Sequence, residues 1–181
     1  KNVVVERKDF IAYAQETDIF GASAQLVKAR KKVKILNKTD KNESYGDFFE
    51  WRKESGYMSL GAMKGNETRT ILFDKNGKPT AQIYSASATR ANEDANPQAK
   101  GDVRIIQLDN SQRTAPASMG GEWAEIDSAE KIIRLYGRPY VEGEMGRIGA
   151  RNIILYYEER RYEMLGIETG VIEKQMNRSA D

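Results

Sequence analysis

Carboxylates are the first side chains to test for chemistry here, because histidine and cysteine are both absent. That absence removes a His-based triad, a His–Cys pair, a HExxH zinc site, a facial iron triad, thiolate metal sites and disulfides. Glu122, Glu125 and Asp127 are close enough in sequence to be weighed as a glycosidase pair. That reaction needs two carboxylates about 5–9.5 Å apart across a cleft, whereas neighbours on one strand alternate faces or run along one side. Solvated surface charge accounts for them better. No Gly-rich phosphate loop of the P-loop or dinucleotide type is present. No catalytic residue, metal or cofactor is expected.

Three other features could bind rather than react. The basic run Lys28-Ala29-Arg30-Lys31-Lys32-Val33-Lys34 could meet phosphate headgroups or nucleic acid. Its plainer role is a solvated hairpin turn with edge lysines that discourage aggregation. Net charge is only +2, and no RNP-like aromatic pattern accompanies the run, so nucleic acid is not an expected partner. Trp51 and Trp123 take matching places in two similar segments. Such residues can stack on sugar but more often belong to a core or its rim. Residues 143–149, with three glycines, read as a flexible turn or bulge.

The elements that must position these residues are short strands. The 181 residues suit one elongated domain, 1–181, read as two similar halves (about 1–66 and 67–170) with a tail, 171–181. Hydrophobic residues make up 39% of the chain, a lean supply that suits a sheet with one wet face. No apolar run approaches the roughly 18 residues of a membrane span. Lys1-Asn2-Val3-Val4-Val5-Glu6-Arg7 reaches charge after three valines, unlike a signal peptide. Ile71-Leu72-Phe73-Asp74 and Thr80-Ala81-Gln82-Ile83-Tyr84 flank Asn76-Gly77, the clearest hairpin in the chain. Turn residues recur every 8–12 positions, including a polar loop at 92–101, as in an antiparallel sandwich, barrel or roll.

One stretch, 122–136, spaces its apolar residues almost as a helix would. Internal comparison favours strand–turn–strand, because Gly46-Asp47-Phe48-Phe49-Glu50-Trp51 followed by Tyr57-Met58-Ser59-Leu60-Gly61 has the same plan as residues 121–137. Ile153-Ile154-Leu155-Tyr156-Tyr157 and Tyr162-Glu163-Met164-Leu165 should be strands joined by a turn. Beyond Gly170, residues 171–181 read as a short helix or a frayed tail.

Residues 70–166 carry a recurring phrase: Ala81-Gln82-Ile83-Tyr84-Ser85-Ala86-Ser87-Ala88, then Ala99-Lys100-Gly101-Asp102-Val103-Arg104-Ile105, Ala124-Glu125-Ile126-Asp127, Ile133-Arg134-Leu135-Tyr136-Gly137-Arg138-Pro139-Tyr140-Val141 and Ile148-Gly149-Ala150-Arg151-Asn152-Ile153-Ile154-Leu155-Tyr156. This arrangement resembles the OstA-like family of periplasmic lipopolysaccharide-transport proteins, of the LptA/LptC type. The polar insertion at 92–101 and Ile126-Asp127 in place of an aromatic–Asp pair depart from it.

The resemblance implies a mainly β fold, an antiparallel folded-over β-jellyroll shaped as an open V. It implies a non-catalytic, periplasmic bridge protein, with any leader or anchor upstream of residue 1. The expected ligand is lipopolysaccharide or another acylated lipid, its chains held in a groove lined by Ile83, Val103, Ile105, Ile133, Leu135, Val141, Ile153 and Leu155. Alternation alone equally allows these eight to form a closed core. Expected protein partners are homologous β-jellyrolls joined through edge strands, end to end. The alternatives are a carbohydrate-binding or adhesin-like β-sandwich, and a structural scaffold of the cell envelope.

Overall fold

Strand-forming residues punctuated by Gly, Asn and Asp give an all-strand fold over residues 3–108, 118–143 and 146–167, the part described by the computed structural model. One antiparallel sheet of fifteen strands results. In order these are β1 (Val3–Glu6), β2 (Phe10–Ala14), β3 (Glu16–Phe20), β4 (Leu26–Asn37), β5 (Glu43–Arg52), β6 (Met58–Gly61), β7 (Thr68–Phe73) and β8 (Pro79–Ser85). They continue with β9 (Ser87–Arg90), β10 (Gln98–Gln107), β11 (Ser118–Asp127), β12 (Ile132–Tyr136), β13 (Tyr140–Gly143), β14 (Gly146–Tyr156) and β15 (Arg161–Ile167).

The sheet folds over because its five long strands change partner part-way along. β4 pairs β3 through residues 26–30 and β2 through 34–37. β5 pairs β7 through 43–45 and β6 through 48–51. β10 divides between β9 and β8, and both β11 and β14 between β12 and β13. The short strands therefore fall into two leaves that share the long ones: β1, β2, β7, β8 and β13 in one, β3, β6, β9, β12 and β15 in the other. This is the folded-over antiparallel roll that the family resemblance implied, one of the three architectures the strand pattern allowed.

Bulges make the crease. Register slips between Arg30 and Val33 in β4 and between Lys100 and Val103 in β10. Lys31 and Lys32 (φ 62° and 54°), like Gly101 and Asp102 (φ 82° and 47°), take left-handed backbone there. The carbonyls of Lys31 and Gly101 accept the N–H groups of Gln15 and Ala86, each at 3.1 Å. One corner is thus built twice, and the extra residues bend the strand. At Gly101 a Cβ would stand 2.8 Å from that of Ala86, so a side chain there is excluded twice, by space and by φ.

Several expectations change. The basic run lies inside β4, not in a hairpin turn, because a bulge lets a strand pass through consecutive lysines without burying them. The polar loop is shorter than 92–101: β10 already begins at Gln98. Residues 122–136, by contrast, form the expected strand–turn–strand, the end of β11 and then β12, with no helix among the described residues. Gly146 and Gly149 belong to β14, paired in register with β13, rather than to the flexible turn or bulge expected over 143–149. The expected helix or tail at 171–181 lies outside the described residues.

Inward-facing residues form two apolar clusters. One gathers Val5, Phe10, Ala12, Val27, Ile35, Phe49, Trp51 and Leu60 with their neighbours. The other runs from Leu72 through Ile83 and Ile105 to Leu155 and Tyr157.

Candidate functional site

All eight residues expected to line a groove point inward and meet in the second cluster. Ile83 pairs with Ile105 in one leaf, and Met119 links Ile105 to Val141. In the facing leaf Ile133 pairs with Leu155, and Leu135 with Ile153. Their exposure runs from 0% to 8%. In this structure they are the sealed core of the second half, the closed alternative that alternation left open. Their inward register is what a groove would need; their packing leaves no open wall.

Open space lies instead where the two cores meet. A cleft of about 120 Å³ is floored by Phe10, Ile35, Phe49, Leu60, Leu72 and Ile126, with Met58 and Ala88 beside them. Phe10 packs edge-to-face on Phe49 (5.5 Å) and on Trp51 (5.8 Å), which fixes one wall. Both cores mix alanines with larger aliphatics, and the aromatic side chains Phe10, Phe49 and Trp51 are all in the first. The rim is polar. Asp9, Asn37, Asn42 and Ser44 stand on one leaf, and Ser59, Thr89, Arg90 and Ser128 on the other.

Turns at the free ends of the two leaves meet over this side. Arg90 Nη2 donates to Asp9 Oδ2 at 2.7 Å, and Lys131 lies 3.9 Å from Asp40. Arg7 Nη2 donates to the Ala24 carbonyl at 3.4 Å, with its guanidinium 4.6 Å from the centre of the Trp51 ring. The Asp74 carboxyl in the β7–β8 turn is held below the usual carboxylate range, chiefly by the Lys78 backbone N–H, with the charge of Arg160 from the other leaf adding to it. The mouth of the roll is therefore bridged by charge, while its crease is held by backbone.

No protein family and no curated protein matches this sequence. Among solved structures, the chain is similar to LptH. That protein is the LptA-homologous periplasmic component of the lipopolysaccharide transport device of Pseudomonas aeruginosa; the match covers 89% of this chain and 84% of that one, at 12% identity and a TM-score of 0.38. At that score the architecture rests on its own strand order and register.

Outside the roll, the features that could have bound or reacted are otherwise engaged. Glu125 and Asp127 share the Arg134 guanidinium at 3.3 and 3.5 Å, and Glu122 holds Arg138 at 2.8 Å. Among the described residues no three carboxylates gather as a metal site. In the basic run, Lys28, Arg30 and Lys31 pair with Glu50, Asp18 and Glu16 across β4's neighbours.

The two tryptophans are not equivalent, contrary to the sequence reading. Arg30 faces Phe48 in the first crease as Lys100 faces Trp123 in the second. Trp123 therefore matches Phe48, and Trp51 matches Ile126. Trp51 is buried in the first core; Trp123 lies outside, half-buried and stacked on Tyr136 at 4.1 Å. A residue-by-residue comparison from the crease, rather than a match of tryptophan to tryptophan, would have exposed the offset. Asp9, Arg90, Asn37 and Asn42, which sequence reasoning missed, gave no motif: Asn37 and Arg90 end strands, Asp9 and Asn42 immediately precede them, and only folding brings the four together.

Proposed function

We propose that this domain is a non-catalytic carrier of acylated lipid, lipopolysaccharide foremost, in the periplasm of a bacterial cell envelope. The observation that carries the proposal is the cleft at the junction of the two cores: an apolar floor reached through a polar rim, inside a roll whose leaves part there. An acyl chain laid on that floor gains about 0.8 kcal/mol per buried methylene. Outward separation of the bridged turns would extend the cleft toward Ile83, Val103, Ile105, Ile133, Leu135, Val141, Ile153 and Leu155, which serve as the deeper lining. The sequence phrase over residues 70–166 supports the same assignment. Two similar halves, each a crease with its short strands, would make one elongated path. Edge strands at its ends would join homologous domains by strand addition.

The test is thermal unfolding of delipidated protein with and without monomeric lipopolysaccharide or its lipid portion. Ligand at about 100 times its dissociation constant adds roughly 2.7 kcal/mol. A saturable rise in Tm, lost in Ala88→Leu because the larger side chain fills the cleft, is the expected result. Absence of any shift in well-folded protein would sink the carrier assignment and favour a closed sandwich or scaffold.

A further inference from the structure

The rim of the cleft holds a buried donor that no acceptor meets. Asn37 Oδ1 already accepts the N–H groups of Thr39 (2.8 Å) and Asp40 (3.1 Å), and Asn42 Oδ1 accepts that of Phe73 (3.1 Å). Asn37 is left with its Nδ2 donor alone, and Asn42 with Nδ2 and one further acceptor site on Oδ1. Arg90 adds five N–H groups on a side chain only 16% exposed, and its Nε is buried without a partner. Arg7, two residues before Asp9, also has a buried Nε with no partner, and no carboxylate pairs with it among the described residues. Against these donors stands one rim carboxylate, Asp9, itself held by Arg90. Among the residues that line the cleft the charges balance, one guanidinium to one carboxylate, and what is left over is the buried Nε of Arg90 and, just outside the lining, that of Arg7. Buried donors without acceptors are uncommon in folded proteins and ask for an explanation.

We propose that the rim binds the anionic head of a single-chain amphiphile, a phosphate or carboxylate oxyanion, while the tail lies on the floor of Phe10, Phe49, Leu60 and Leu72. The inference rests on the carrier assignment above and adds the head to it. Asp9 acts as the resident stand-in for the ligand: Arg90 leaves the Asp9 carboxylate and closes on the incoming oxyanion, with Asn37 and Asn42 donating from the opposite leaf. Guanidinium suits this exchange because its planar fork can grip a carboxylate or phosphate through two bonds at once. Breaking the Asp9–Arg90 bridge also loosens the mouth, so binding of the head and entry of the tail are one event.

Three amphiphiles with the same tail separate head from chain: dodecyl phosphate, dodecanoate and dodecyltrimethylammonium, titrated calorimetrically below their micelle concentrations. Both anions should bind at least about tenfold more tightly than the ammonium, the worth of a hydrogen bond to a charged group. Their order tells phosphate from carboxylate, and either order supports the site. Asp9→Asn should tighten both anions severalfold by removing the competitor, whereas Arg90→Gln should weaken them about tenfold. A merely structural ion pair makes both variants weaken every head alike, and that result overturns the proposal. If Arg90→Gln does not fold, the sign of the Asp9→Asn effect still decides. Equal binding of all three heads overturns this site but leaves the carrier intact; binding of none overturns both.

Discussion

Tyr157 lies fully buried at the end of the second core, its hydroxyl among Ser128, Asp40 and Asp127. Burial, and then the negative charge of Asp40, push its ionisation well above the ordinary tyrosine value. The folded protein thus keeps a proton that the unfolded chain releases near pH 10. Between those two pKa values the unfolded state binds fewer protons, so stability falls as pH rises. Tyr157→Phe should flatten the loss of stability above about pH 10 while changing little at pH 7, as followed by urea unfolding across pH. A wild-type slope retained in the variant would locate the alkaline sensitivity elsewhere. At the crease, Lys32 holds φ 54° and has no ion pair among those formed by its neighbours Arg30 and Lys31. Left-handed backbone costs an L-residue about 1 kcal/mol or more. Lys32→Gly should therefore add up to about 1 kcal/mol to the unfolding free energy, read as a higher urea midpoint at unchanged m. Gly101→Ala, at the matching corner, should lower that free energy by at least as much.

Among the elements, what sequence could show depended on how local the cause was. The β7–β8 hairpin was legible because Asn76-Gly77 supplies its own turn, with Gly77 at φ 76°. β4 was not. Its 12 residues run straight through the basic run because the neighbouring strands β2 and β3 hold both sides of the bulge, a tertiary cause that no window of sequence contains. The eight inward aliphatics were legible as one face, since alternation fixes which side they share. Whether that side is a groove or a core depends on how closely the opposite leaf approaches, and alternation is silent on it. The approach is close, which changes the useful mutations. Ile133→Asp would bury an unpaired charge at 0% exposure and unfold the domain rather than merely block a ligand. Leu135→Ala should cost about 2–5 kcal/mol in equilibrium unfolding. Ala88→Leu, at the cleft, should cost far less, because it fills space already open.

For the whole molecule, the consequence of folding a sheet over without closing it is a pair of ends. β1 and β3 stand at one end of the strand order and β15 at the other, and among the described residues nothing pairs the first with the last. Both ends show apolar side chains: Ile19 is 54% exposed on β3, facing inward beside Val27, and Tyr162 is 42% exposed on β15, facing inward beside Leu155. The interior of the roll thus reaches solvent at each end, and an unpaired strand invites another. If domains join with the β3 end of one on the β15 end of the next, the contact is heterologous and grows without limit. Sedimentation should then show mass rising with concentration. Ile19→Lys alone and Tyr162→Lys alone should each remain monomeric, since every contact uses one of each end. Mixed together they should form dimers and stop, because one intact β3 end and one intact β15 end remain in the pair. Self-contact of like ends gives the opposite pattern: one variant would still dimerise by itself, and mixing would add nothing.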